Sequence, residues 1–305
     1  MSSLIDEIRE YHAQRRATLK MQLRIDNNCR AQARRYLGWQ TDLPEKEREA
    51  IAADAASVVE AVQKDKPLPD HLADAAAALA TFCLTSRESR RPFDACRRNV
   101  ERRMTKAVMS LPVWPWVEAV KGFGPLGLAI IIGEAGDLSA YANPGKLWKR
   151  MGLAVIDGKA QGKRTDKEEA ARHGYDPQRR SAFWTITDSL LRQRGPFKDM
   201  YDARKAYELA RDPEMTKIHA HRRAQRFAGK RLLRDLWTAW RAAGHSFCET
   251  QEKTAVARQA QPAPSRKRKE PTHEEAARRE LLAVDKHGDR RNGQRPGPRA
   301  GPDQD

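Results

Sequence analysis

The segment Val120-Lys-Gly-Phe-Gly-Pro125 has the residue types and spacing to hold a phosphate. Glycine reaches positive φ without steric cost, so a Gly-x-Gly pair lets two short helices reverse tightly. Neither glycine carries a side chain, so the backbone can come close to a ligand. Pro125 suits the first turn of a helix, where its missing N–H costs nothing. The next N–H groups have no intrahelical acceptor and carry the positive end of the helix dipole. A helix end of this kind binds phosphate. The pattern predicts a helix-hairpin-helix, with Val117 and Val120 on the first helix and Ala129 and Ile130 on the second. Gly122, Phe123, Gly124 and Pro125 form the hairpin, and Lys121, Lys146, Lys149 and Arg150 flank it. Such a motif grips backbone phosphates and reads no bases, so binding is expected to be sequence-independent and salt-sensitive. The plain alternative is an αα-corner with a glycine turn.

Residues for bond-breaking chemistry are harder to find. Metal-assisted phosphoryl transfer needs carboxylates converging on one point. Asp6, Asp26 and Asp42 stand in helical or loop contexts, with no apolar strand carrying an aspartate nearby. His219 and His221 are two apart on a helical pattern and face different ways, whereas helical metal pairs are spaced by four. Cys29, Cys83, Cys96 and Cys248 are scattered without a CxxC pair, which supports neither a zinc knuckle nor a disulfide framework. No metal and no cofactor is expected. Thr165 is the hydroxyl nearest to the loop Ala154–Lys163, and Ser181 and Ser189 sit on the helix that follows. None has an activating base beside it, so no catalytic residue can be named.

The chain has 305 residues, a formal net charge of +17 and 32% charged residues. That balance points to a polyanionic partner, nucleic acid first. No apolar run approaches the roughly 20 residues of a spanning helix. Residues 1–10 lack the apolar core of a secretory signal. A cytoplasmic protein without a membrane partner is expected.

The elements that must position the motif read as mainly α. Leu4 to Leu37 is one long helix or a broken pair, with Ile25, Cys29, Ala33 and Tyr36 at helical spacing. Arg16, Lys20 and Arg24 line another face, a solvated ridge or a phosphate-tracking edge. Pro44 to Gln63 is helical, Pro67 and Pro69 break the chain, and Asp70 to Ser86 is a further helix. Pro92 is expected to open a separate basic helix with Arg97, Arg98, Arg102, Arg103 and Lys106. Leu111-Pro-Val-Trp-Pro-Trp116 reads as a rigid connector. Its Trp114 and Trp116 are the tryptophans best placed to stack on bases; the others are expected to pack. Asp176-Pro177 and Asp212-Pro213 each read as a helix start. Beyond about Thr250 the apolar pattern collapses into a Pro-, Gly- and Arg-rich tail that includes Arg266-Lys-Arg-Lys269. The expected organisation is a basic helical region over 1–110, a helix-hairpin-helix domain over 111–247 and a disordered basic tail over 248–305.

The order Val120-Lys-Gly-Phe-Gly-Pro125, Gly133-Glu-Ala-Gly-Asp137, Leu147-Trp-Lys-Arg-Met-Gly-Leu153 resembles the C-terminal domain of the DEDD-type insertion-sequence transposases, the insertion sequence 110/116/902 type associated with bridge-RNA-guided recombination. Gly162-Lys-Arg164, Arg179-Arg180, Phe197-Lys-Asp-Met-Tyr201 and Lys230-Arg-Leu-Leu-Arg234 follow in matching order, so the resemblance covers about Trp114 to Gly244. The basic helix from Arg15 to Leu37 is similar to the coiled linker before that domain. Two departures stand out. The resemblance implies an N-terminal resolvase-like domain with four acidic metal ligands, and residues 1–110 contain no such pattern. It also implies a nucleophilic serine before the Gly-Lys step, where this chain reads Ala154-Val-Ile-Asp-Gly-Lys-Ala-Gln-Gly-Lys163.

Three functional readings follow. The first is a DNA-binding, transposase-like protein, catalytically incomplete alone, that works with a resolvase-like partner chain or a second copy of itself. The second is an intact recombinase with unrecognised catalytic groups. The third is a non-catalytic helical adaptor that binds structured RNA or protein.

Overall fold

Helical spacing without a proline or glycine runs from Ser2 to Tyr36, and the chain folds there as one unbroken helix, α1 (Ser2–Tyr36). The computed structural model describes residues 2–260, with side chains to residue 244. After α1 come α2 (Glu45–Lys64), a single turn at Asp70–Leu72, α3 (Ala73–Met109), α4 (Trp114–Ala119) and α5 (Pro125–Ala135). They are followed by α6 (Pro144–Arg150), a hairpin of β1 (Val155–Ile156) and β2 (Lys159–Ala160), and α7 (Lys167–His173). The last elements are α8 (Pro177–Arg192), α9 (Pro196–Arg211) and α10 (Lys217–Ala260). The described chain is mainly α.

α1 and α3 lie antiparallel, as the pairs Arg15–Glu101, Gln22–Asp94 and Asp26–Arg90 show. Pro92 does not open a new helix, contrary to the sequence expectation. It sits inside α3 on an exposed face. A mid-helix proline removes one backbone hydrogen bond. Here the ties of Arg90 and Asp94 to α1 flank the break and hold the helix through it. α2 covers the far end of the pair, burying Ala55 and Val59 against Cys29, Ala33 and Cys83. Of the expected stripe on α1, Cys29 and Ala33 are buried, whereas Tyr36 is exposed. Burial, and then the neighbouring Cys29, push the Cys83 thiol up to about 11.

α5 is apolar on nearly every side, which suits a helix enclosed by others. Leu128 to Ile132 are all buried. Around them gather Ile5 and Ile8 of α1, Met104 of α3, Phe183 and Leu190 of α8, and Leu232 and Leu236 of α10. Leu111 and Val113, in the connector at which the sequence suggests a boundary, are buried in this same cluster. Residues Met1–Glu252 form one compact unit. Three indoles fasten α10 to the segment after α5. Trp148 Nε1 donates to the Lys230 carbonyl at 3.0 Å, Trp237 Nε1 to the Tyr141 carbonyl at 2.9 Å, and Trp240 Nε1 to Asp137 at 2.9 Å. Trp114 and Trp116 are partly buried against the core.

Three local features refine the sequence reading. Asp157 and Gly158 both have positive φ, 50° and 72°, which is the pattern of a type I′ turn, and they join the only two strands among the described residues. Buried Gln161 then ties this hairpin down, accepting from Ala154 N at 3.2 Å and donating to the Lys149 carbonyl at 3.1 Å. Asp176 caps α8 as its sequence suggests, accepting from Gln178 N and Arg179 N. Asp212-Pro213, however, forms a turn that ends α9, with Met215 N donating to the Asp212 carbonyl at 3.0 Å. α10 starts four residues later, where Thr216 accepts from His219 N. α10 also runs to Ala260, past Gly244 and past the expected tail boundary at 248. The rest of that tail, 261–305, lies outside the described residues.

Candidate nucleic-acid interface

The two hairpin glycines do different work. Gly122 has φ +83°, and a Cβ there would lie 2.9 Å from the Leu190 Cα and 3.0 Å from the Ser189 carbonyl oxygen. It is the point where the hairpin presses onto the α8 backbone. Gly124 has φ −92° and ψ 178°, with open space where a Cβ would stand. No side chain caps α5, so the N–H groups of Leu126 and Gly127 face out of the helix end. Phe123 between the glycines is buried at 3% exposure and meets Trp116 edge-on with ring centroids 6.5 Å apart. It anchors the hairpin, and little of it is left to touch a ligand.

The open helix end faces a groove of about 760 Å³ between α1, α5 and α8. Its walls bring Gly122, Phe123, Gly124 and Pro125 together with Arg16 and Lys20 from the other end of the sequence. Arg15, Leu19 and Leu23 extend the α1 wall, and Ser181, Thr185 and Ser189 line the α8 wall. Lys20 is exposed and makes no ion pair among the described residues. Lys121, Arg24, Lys146, Lys149 and Arg150 do not line the groove. Lys121 is exposed beside Gly195, Arg24 is exposed farther along α1, and Lys146 and Lys149 are exposed on α6. Arg150 donates through Nε to the Glu134 carbonyl at 2.8 Å.

Arg16 is committed to the floor of the groove as much as to its opening. Its Nη2 donates to Gln178 at 2.6 Å, and its Nη1 lies 3.3 Å from a Glu134 carboxylate oxygen. Glu134 is 4% exposed and is the hub of a buried ionic cluster. His12 Nε2 stands 2.9 Å from one of its oxygens and Arg179 Nε donates to the other at 3.0 Å. Burial alone would raise its pKa. The hydrogen bonds from His12 and Arg179 and the nearby Arg16 charge outweigh that and hold it at about 2. A Cβ on Gly133 would fall 2.3 Å from the His12 ring, so glycine is what admits the imidazole. The other imidazole nitrogen, Nδ1, is buried without a partner among the described residues.

Sequence reasoning missed this hub. The one available signal was a glutamate set directly after an apolar run, but its partners come from positions 12, 16 and 179. Asp137, three residues on, is likewise structural: it accepts from Trp240 Nε1 and from Ser139 N.

The hydroxyl candidates separate in space. Ser181 and Ser189 line the groove, whereas Thr165 is exposed and does not. Neither serine hydroxyl bonds to a base among the described residues, and Thr185 spends its hydroxyl on the Ser181 carbonyl at 3.2 Å. Among the described residues no three His, Cys, Asp or Glu side chains are grouped to hold a metal ion. His221 accepts or donates a 2.7 Å bond with the Tyr201 hydroxyl and meets Trp184 edge-on. Burial, then the Lys205 charge, lower its pKa. His219 is exposed.

The hairpin, Glu134 and α8 all fall within one stretch of sequence. Residues 116–202 match the model of the Transposase IS116/IS110/IS902 family. The matched segment runs from α4 into α9, while α1, α3 and α10, which complete its core, lie outside the match. The groove is therefore built jointly: α5 and α8 lie within the matched segment and the basic α1 wall does not. No curated protein and no solved structure matches the chain. No described helix is long and apolar enough to cross a membrane.

Proposed function

We propose that this chain acts in insertion-sequence transposition by holding duplex DNA through the hairpin end of α5, and that it carries out no strand chemistry alone. The carrying observation is the convergence on one groove of an uncapped helix N-terminus and the α1 cations Arg15, Arg16 and Lys20. Backbone N–H groups and a basic wall suit phosphates and read no bases. The apolar part of the groove, Leu19, Leu23 and Ile130, favours the helical adaptor as the second reading. Gly124→Val separates them. The backbone at 124 is extended and its surroundings are open, so the fold is kept while phosphate approach is blocked. Binding to random-sequence duplex is expected to weaken about tenfold, or about 1.4 kcal/mol. Unchanged affinity in the folded variant refutes the DNA reading of the hairpin.

A further inference from the structure

Away from the groove, Arg180, Arg226 and Lys230 come together on the face made by α6, α8 and α10. All three are half-buried, and none makes an ion pair among the described residues. The described carboxylates that cap or lie on these elements pair elsewhere: Asp176 with Arg16 and Arg179, Asp188 with Arg192, and Asp235 with Arg234. Arg226 and Lys230 are four apart on one helix, a spacing at which like charges repel. Burial, and then the Arg226 charge, lower the pKa of both Arg180 and Lys230, and burial lowers that of Arg226.

Two of the cations lie against aromatic rings. The Lys230 ammonium sits 5.0 Å from the Trp148 ring centroid, and the same indole is fixed by its bond to the Lys230 carbonyl. The Arg180 guanidinium sits 5.3 Å from the Trp184 centroid. Beneath Arg180 the backbone approaches closely: a Cβ on Gly152, at φ +75°, would lie 3.2 Å from Arg180 Cδ and 3.5 Å from the Tyr175 ring. Indole faces stabilise such cations without neutralising them. Three partly desolvated cations without an ion pair among the described residues cost the fold stability unless an anion joins them.

We propose that Arg180, Arg226 and Lys230 form a phosphodiester-binding site, separate from the hairpin groove, that holds a nucleic-acid backbone. The proposal shares with the functional reading the premise of a nucleic-acid ligand, but it does not depend on the hairpin. With the indole faces occupied by cations, the site grips phosphates rather than stacking bases.

The test measures affinity of the full chain for labelled random duplex DNA and for labelled single-stranded RNA over a salt series. The double variant Arg226→Gln, Lys230→Gln is expected to bind at least one of them about tenfold more weakly, with a salt slope smaller by about 2 on duplex. Its Tm should rise, because repulsion is relieved. Arg226→Lys, which keeps the charge, should retain most of the affinity. The control Arg30→Gln, Lys46→Gln removes the same charge from exposed positions on α1 and α2 and should change binding far less. Loss on duplex, on RNA or on both upholds the site and identifies the strand. Equal loss in the control, or a fall in Tm with unchanged affinity for both probes, overturns it. Gly124→Val measured in parallel keeps the two ideas apart: loss in the Gly124 variant alone sinks the second site, and loss in the cluster variant alone sinks the hairpin reading.

Discussion

Arg179 Nε of α8 donates to Glu134 Oε2 of α5 at 3.0 Å, with both side chains buried. The contact sits under the groove and is shared with His12 and Arg16 of α1. One carboxylate thus binds α1 and α8 to α5, and the spacing of the groove walls depends on it.

Removing that carboxylate takes from His12 and Arg179 the buried acceptor they share. Glu134→Ala is expected to cost about 3–5 kcal/mol in urea unfolding. The pH dependence follows from the same cluster. Glu134 sits at about 2 in the fold, against an ordinary value of 4.5. A carboxylate with a depressed folded pKa contributes stability that is fully present above its unfolded value and is lost as pH falls toward the folded one. Stability should therefore decline from about pH 4.5 to about pH 2, by up to about 3 kcal/mol from this group. Glu134→Gln should flatten that part of the profile. An identical acid profile in the variant would contradict the role given to Glu134.

Gly122 and Gly124 should respond oppositely to alanine. At Gly122 the positive φ and the 2.9 Å approach to the Leu190 backbone leave no room for a Cβ. Gly122→Ala should cost about 2 kcal/mol or more. Gly124→Ala, at φ −92° with open space, should be near neutral in stability. Thermal unfolding of the pair checks this, and the reverse ranking would refute the hairpin geometry.

Lys20 is an exposed cation of the groove wall with no ion pair among the described residues, whereas Arg16 is engaged by Glu134 and Gln178. Lys20→Gln should lower the salt slope of duplex binding by about 0.9, the share of one phosphate contact. It should leave stability unchanged. A slope equal to that of the unaltered chain removes Lys20 from the interface.

The chain alone should form no covalent adduct with DNA in magnesium or manganese. Ser181 and Ser189 reach the groove, but neither bonds to a base, and the His12 imidazole is spent on Glu134. Attack on a phosphodiester needs an activated, positioned hydroxyl. Denaturing electrophoresis after incubation is the measurement, and an adduct mapped to either serine would reverse the assignment.

Much of this protein was legible in the sequence because it is encoded locally. The α1 helix, the Asp176 cap and the start of α5 at Pro125 follow from residues within a few positions of each other. So does the tight turn between α4 and α5, where Gly122 takes φ +83°. Local rules failed where distant contacts override them. Pro92 lies within a helix because Asp26 and Gln22 of α1 hold both sides of the break. Asp212-Pro213 has the composition of a helix start, but the chain uses it to turn. The Asp157-Gly158 turn is encoded just as locally, in two neighbouring residues that both take positive φ.

The site divides the same way. Sequence determined that a basic chain would carry an open, glycine-flanked helix end. Only the tertiary structure decided which cations stand beside it, since Arg16 and Lys20 lie more than a hundred residues from Gly124 and reach it because α1 packs on α5. It also decided that Gly122 serves packing and Gly124 access, because those roles depend on the α8 backbone behind one and on empty space beside the other. Glu134 and the Arg180, Arg226 and Lys230 cluster were invisible for the same reason. Charge is written in the sequence, but whether a charge is paired depends on which helices meet.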